Sequence, residues 1–288
     1  MTVSQTASAT ELRDFVDLHF ARRLEMAETM TAEHLKALQR FAPEAAFEVI
    51  AGGTAIFGGG VYPANHVVGM GLYGAVSSAD VERVEEFYRS RGVPCEIVVS
   101  PLADPSLLEL LAPRGYLITE FNSVLVHRLE AEALAEPANG ITLERVTAAT
   151  EQEWDRVIAR GFAEYGALPD NLFAAFASLP DSLCFLARVD GKPAGGAAGT
   201  ILREAGIAAI SGSSTLPEFR RRGVQAALIN RRLWEAAREG ARYAVVSTLP
   251  GSGSQRNMER RGFRVAYTKV VMVRSWPEAG SAGTNDGH

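Results

Sequence analysis

The chain carries one supersecondary pattern twice. Arg114-Gly115-Tyr116 followed by L-I-T-E-F-N-S-V-L-V matches Arg261-Gly262-Phe263 followed by R-V-A-Y-T-K-V-V-M-V, at an offset of 262 − 115 = 147 residues. The same offset sets Ile97-Val98-Val99-Ser100 against Ala244-Val245-Val246-Ser247, and Val81 to Arg91 against Leu228 to Arg238. Self-similarity over half a chain means the same unit built twice, which restricts the fold to two related lobes. At 288 residues and 47% hydrophobic content there is material for two cores of ordinary size. The division expected is a first lobe over 1–130, a linker over 131–140 marked by Pro137 and Gly140, a second lobe over 141–275, and a disordered, Gly- and Ser-rich tail over 276–288.

The second copy holds the chemistry. Gly206 to Ser214 alternates as a strand, Ala226, Ile229, Leu233 and Ala237 recur at helical spacing up to Gly240, and Tyr243 to Thr248 is a nearly continuous apolar strand. Between the first strand and the helix lies T-L-P-E-F-R-R-R-G-V-Q-A-A-L, Thr215 to Leu228. Arg220, Arg221 and Arg222 fall where the helix macrodipole is already positive, which costs free energy unless an anion compensates it. A phosphate there would meet the backbone N–H groups from Arg221 to Ala226 and the guanidinium groups together, and Gly223, lacking a Cβ, allows close approach. The alternative is a solvated charge run. No G-x-x-x-x-G-K-[ST] occurs, which argues against a nucleotide P-loop, and the formal charge of −5 argues against nucleic acid as partner.

Arg220-x-x-Gly223-x-Gln225 between a strand and a helix resembles the coenzyme A pyrophosphate loop of the GCN5-related N-acetyltransferases, [RQ]-x-x-G-x-[GA], with Gln225 departing from the pattern. Ser254-x-x-Asn257 followed by Arg261-Gly262-Phe263 resembles that family's last helix and final strand entry, so the resemblance spans Ile141 to Arg274. It implies an α/β fold of the α+β type, with two tandem acetyltransferase-like lobes, each a mixed, mostly antiparallel sheet flanked by helices. It implies acetyl-CoA as cosubstrate and no metal. The diphosphate would lie on Arg220, Arg221, Arg222, Gly223, Val224, Gln225 and Ala226, the pantetheine along Ser214, Thr215 and Leu216, with Ser254 and Asn257 nearby. A strand N–H, that of Leu216 for example, would stabilise the oxyanion. The first copy reads G-L-Y-G-A-V-S-S-A-D where the loop should stand, with Ser78 or Asp80 as an ordinary N-cap, and Leu107 and Leu110 replace Ser254 and Asn257. One cofactor site is therefore expected, beside a degenerate first lobe.

Many members of that family carry a tyrosine four residues before the glycine of the final Gly-Phe pair as the acid for the departing thiolate. Met258 stands there and donates no proton. Tyr267, Ser254 or water are the substitutes, Tyr267 also reading as a strand aromatic of the core. Glu164 and Tyr165 in G-F-A-E-Y-G-A-L-P-D are candidates at the substrate pocket, or a solvated loop. The function expected is an N-acyltransferase moving acetyl from acetyl-CoA to a primary amine of a small-molecule acceptor by direct attack. The alternative, favoured by Met258, is a non-catalytic acyl-CoA-binding sensor or assembly module. Cys95 and Cys184 read as buried hydrophobes in a reducing compartment, with pairing as the alternative, and the five histidines show no metal-like spacing. With neither a signal-like stretch nor a run of membrane-spanning length, a cytoplasmic monomer or homodimer without membrane partners is expected. The sequence does not select the acceptor.

Overall fold

The two repeats share one sheet. The computed structural model describes residues 16–29, 31–60, 62, 65–129, 140–163, 171, 173–179 and 181–276. The first repeat comprises α1 (Leu18–Met26), α2 (Ala32–Leu38), β1 (Ala46–Ile50), β2 (Gly53–Phe57), β3 (Val67–Val68), α3 (Ser78–Arg89), β4 (Cys95–Val99), α4 (Ser106–Leu111) and β5 (Leu117–Arg128). The second comprises β6 (Ile141–Arg145), α5 (Glu151–Phe162), α6 (Ala174–Ala177), β7 (Phe185–Val189), β8 (Lys192–Leu202), β9 (Ile207–Thr215), α7 (Val224–Arg238), β10 (Tyr243–Thr248), α8 (Gly253–Glu259) and β11 (Arg264–Arg274). The fold is the mixed, mostly antiparallel α/β arrangement expected, in tandem. Nearly all of the 131–140 linker and of the tail lies outside the described residues.

The strand order is β1-β2-β3-β4-β11-β5-β10-β9-β8-β7-β6. The closing strands are thus exchanged: β5 of the first repeat pairs with β10 of the second, and β11 of the second pairs with β4 of the first. The two exchanged strands also pair with each other from Leu117↔Val273 to Val126↔Arg264. Parallel pairing occurs at equivalent places in the two repeats, β3 with β4 and β9 with β10, each joined by a crossover helix, α3 or α7. Elsewhere the ladder is antiparallel.

Helices cover both faces. Ala244 and Leu125 pack under α7, whereas their neighbours Val245 and Val124 pack against α1, as strand alternation requires. By the same alternation α3 and α4 share the α7 face. On β8 the run A-G-G-A-A-G lets both layers come close: a Cβ on Gly195 would meet Val224 of α7 at 3.0 Å, and one on Gly196 would meet Ile158 of α5 at 2.6 Å. Cys95 and Cys184 are free and buried, with both thiols pushed up to about 12 by burial, so they serve as core residues.

Candidate active site

Strands β9 and β10 part company. They pair only from Tyr243↔Ile207 to Val245↔Ala209. Beyond that point β9 stays with β8 and β10 with β5, and the gap opens a cleft of about 1240 Å³ through the sheet. A β-bulge at Gly212 (φ 42) deepens the separation, because Ala197 faces Ser213 while Ala198 faces Ser211. Arg232 holds this kink from below. It is fully buried on α7 and donates to the carbonyls of Ala198 at 2.6 Å and Ser211 at 2.9 Å; burial pushes its pKa down to about 9, which leaves it charged at neutral pH. Helical spacing did not single out Arg232, since an arginine on a helix is ordinarily read as solvated.

On the α7 face the cleft ends at the helix N-terminus. Gly223 is the N-cap at φ 86, no side chain caps the helix, and its first turn holds no acidic residue. Arg221, at φ 63, adds a second left-handed residue that curls the loop. Arg220, Arg221, Gly223, Val224, Gln225 and Ala226 all line the cleft. Arg222 does not: it turns to Asp190 at 3.1 Å, so two of the three sequence-selected arginines reach the cavity. Gln225 Oε1 accepts from Asn257 Nδ2 at 2.8 Å, and Asn257 and Ser254 of α8 line the same wall.

Along β9 the side chains divide by alternation. The hydroxyls of Ser213 and Thr215 are buried on the cleft wall and, among the described residues, have no hydrogen-bond partner. Ser214 instead donates to Ile158 O on α5 at 3.1 Å. Leu216 needs correction as an N–H donor, because its amide bonds Ala194 O at 2.9 Å and its side chain is buried in the core. Ser213, missed in the sequence reading, was legible only through its parity with Thr215.

The opposite face of the cleft is built largely by the first repeat. Here α1 and the turn after it lay Glu25 and Glu28 on β11, where Lys269, 1% exposed, bonds Glu28 at 2.6 Å and Glu25 at 3.3 Å. Tyr267 donates to Glu25 at 2.7 Å and lies outside the cleft lining, which removes it as the acid for a thiolate. Burial and the Glu25 carboxylate push its phenol far above the ordinary range. Burial likewise raises the Glu25 carboxyl. Glu28 goes the other way: desolvation opposes ionisation, but Lys269, the Ser247 hydroxyl and His66 outweigh it and its pKa falls. Glu28 and His66 face the cavity, and Ser247 of β10 donates to Glu28. Leu38 of α2 and Ala175, Phe176 and Leu179 around α6 close this side in one apolar cluster. Asp155 of α5 anchors that wall by accepting from the amides of Phe173 and Ala174. Glu164 and Tyr165 lie outside the described residues.

Met258 is buried and lines the cleft, so the position of the usual tyrosine is apolar in space as well as in sequence. The profile of the Acetyltransferase (GNAT) family matches residues 143–263. The second repeat thus matches the GNAT acetyltransferase family. That stretch contains the loop, α7, α8 and both strands of the splay. Over most of its length the chain is similar in fold to a GCN5-related N-acetyltransferase from Kribbella flavida, with TM-score 0.67 and 22% identity over 90% of this chain and 97% of that one. It is also similar to a tandem GNAT protein from the clavulanic acid biosynthesis pathway, with TM-score 0.58 and 14% identity over 89% and 93%. A GCN5-related N-acetyltransferase from Sphaerobacter thermophilus follows, with TM-score 0.53 and 19% identity over 68% and 67%. No curated protein matches the sequence. The family match covers the second repeat, and the tandem neighbour is similar to this chain in fold over most of both lengths.

Proposed function

We propose that the protein moves an acetyl group from acetyl-coenzyme A to a primary amine of a small-molecule acceptor by direct attack. One observation carries this reading: a single cleft joins the uncapped start of α7 on one face of the sheet to a wall built largely by the first repeat on the other. The residues of the α7 face fit the coenzyme. Arg220, Arg221 and the open N–H groups of Val224 to Ala226 hold its diphosphate, and the orphan hydroxyls of Ser213 and Thr215 take the amides of its arm. When bound, the coenzyme supplies an activated thioester carbonyl. The chain's part is to bring a neutral amine to that carbonyl at the β9/β10 splay.

The first repeat supplies wall rather than a second cofactor site. Its equivalent helix start, on α3, is closed by a capping box in which Ser77 accepts from the Asp80 amide and Asp80 from that of Ser77. The N-cap is thus Ser77, not Ser78, whose hydroxyl serves Glu82 and Arg114. With two amides taken and the Asp80 carboxylate in its first turn, this helix start disfavours a phosphate.

A second reading rests on Met258: with no ring hydroxyl to protonate a thiolate, the cleft would bind acyl-coenzyme A without turnover. Calorimetry with acetyl-coenzyme A and thiol-release assays across a panel of amines separate the two. Binding with acceptor-dependent thiol release supports the enzyme; binding without release for any amine supports the sensor. A wild-type chain that ignores millimolar acetyl-coenzyme A excludes both.

A further inference from the structure

We propose that Glu28 is the anchor for the acceptor's ammonium group, and that the acceptor is a primary monoamine with an apolar or aromatic body. This rests on the acyltransferase reading above and adds the class of acceptor. Among the described residues Glu28 is the one carboxylate on the cleft wall. Its side chain is 27% exposed, held from behind by Lys269 and at its flank by the Ser247 hydroxyl. Ser247 stands two residues past Val245, the last residue of β10 to pair with β9. The carboxylate therefore sits at the mouth of the splay, beside the place where the thioester carbonyl must lie.

The charges behind it favour one cation. Glu25 and Glu28 share Lys269, so the ionised trio carries a surplus negative charge, and Glu28 is its member that faces the cavity. An ammonium docking there neutralises a partly buried carboxylate. Because Lys269 and Ser247 stabilise the ionised form, Glu28 is a poor proton acceptor and a good anchor. The ammonium sheds its proton to water before attack.

Among the described residues the rest of this wall offers no second carboxylate for a second cation. Leu38, Ile56, Tyr62, Phe162, Phe176 and Leu179 line the same cavity. Burial pushes the Tyr62 phenol up to about 12 and the His34 imidazole below its ordinary value, so both rings are neutral at pH 7. A polyamine or aminosugar would press further ammonium groups against this surface without counter-charges, a penalty that works as specificity. A phenyl ring or alkyl chain gains from it.

The test uses the full chain with coenzyme A bound, 2-phenylethylamine as monoamine and spermidine as polyamine, read by calorimetry and by thiol release with acetyl-coenzyme A. The wild type should bind and acetylate 2-phenylethylamine at least tenfold better than spermidine. Glu28→Gln should raise the KM and Kd for the monoamine at least tenfold, change kcat less than threefold, and leave acetyl-coenzyme A affinity unchanged. Preference for spermidine, no binding of the monoamine, or unchanged amine affinity in the variant overturns the proposal. The wild-type comparison stands even if the variant does not fold. Loss of coenzyme binding in the wild type strikes the acyltransferase reading itself; intact coenzyme binding with the wrong amine preference strikes only this one.

Discussion

Asn257 Nδ2 donates to Gln225 Oε1 across 2.8 Å, tying the last helix to the first turn of α7. Gln225 is where the loop departs from the family pattern, and the bond accounts for the departure: an amide replaces a small residue and locks α8 against the loop. Gln225→Ala and Asn257→Ala should therefore be non-additive in acetyl-coenzyme A affinity, with a coupling of about 0.5–1.5 kcal/mol for one neutral hydrogen bond. A double-mutant cycle by calorimetry measures it.

Arg220→Ala/Arg221→Ala should weaken acetyl-coenzyme A binding by roughly a hundredfold or more, since charge-assisted contacts contribute about 1.5–3 kcal/mol each. Arg222→Ala should change it within about threefold, because it removes an exposed ion pair with Asp190, worth about 0–1 kcal/mol. Titration of the two variants side by side distinguishes the arginines that reach the cleft from the one that does not.

Arg232→Met keeps most of the volume but strips the Ala198 and Ser211 carbonyls of their donor. Leaving buried acceptors unpaired costs about 1–3 kcal/mol each. Urea unfolding should show a loss of roughly 2–6 kcal/mol, and acetyl-coenzyme A affinity should fall as the bulge relaxes.

Lys269→Met strands two carboxylates between α1 and β11, and breaking a buried ion pair costs about 3–5 kcal/mol. The sign follows from the shifts. Lys269 titrates above its ordinary 10.5, so its stabilisation is complete below that value and is lost as pH rises through the raised one. Glu28 titrates below its ordinary 4.5, so its stabilisation holds above that value and is lost as pH falls through the lowered one. In the variant both carboxyls lose their cation and accept protons readily. The destabilisation measured at pH 8 should therefore shrink as the pH is lowered toward 4, as denaturant midpoints across that range will register.

Local patterns carried much of this architecture. Tyr243 to Thr248 reads as a strand and is β10, Gly240 follows the end of α7, and the repeat around Gly115 and Gly262 marks equivalent segments that form β5 and β11. The exchange of those strands was not legible, because alternation marks which residues face a core and not which neighbour completes it. Lys269 and Arg232 escaped for a related reason: each is a charged residue in a regular element, and its burial depends on partners far away in sequence, Glu25 and Glu28 for one and two β8 and β9 carbonyls for the other. The loop at Arg220 to Ala226 was legible because its conflict with the helix dipole is local. The acceptor wall was not, since α1, α2 and α6 meet only in the folded chain.

The crossed strands have an architectural price. Cutting the chain at the segment between the repeats would leave β10 without its inner neighbour and expose a row of backbone donors and acceptors in mid-sheet, where aggregation begins. Neither half is a detachable module. Whatever its own chemistry, the first half splices the sheet together, so selection for solubility alone would keep it in the gene.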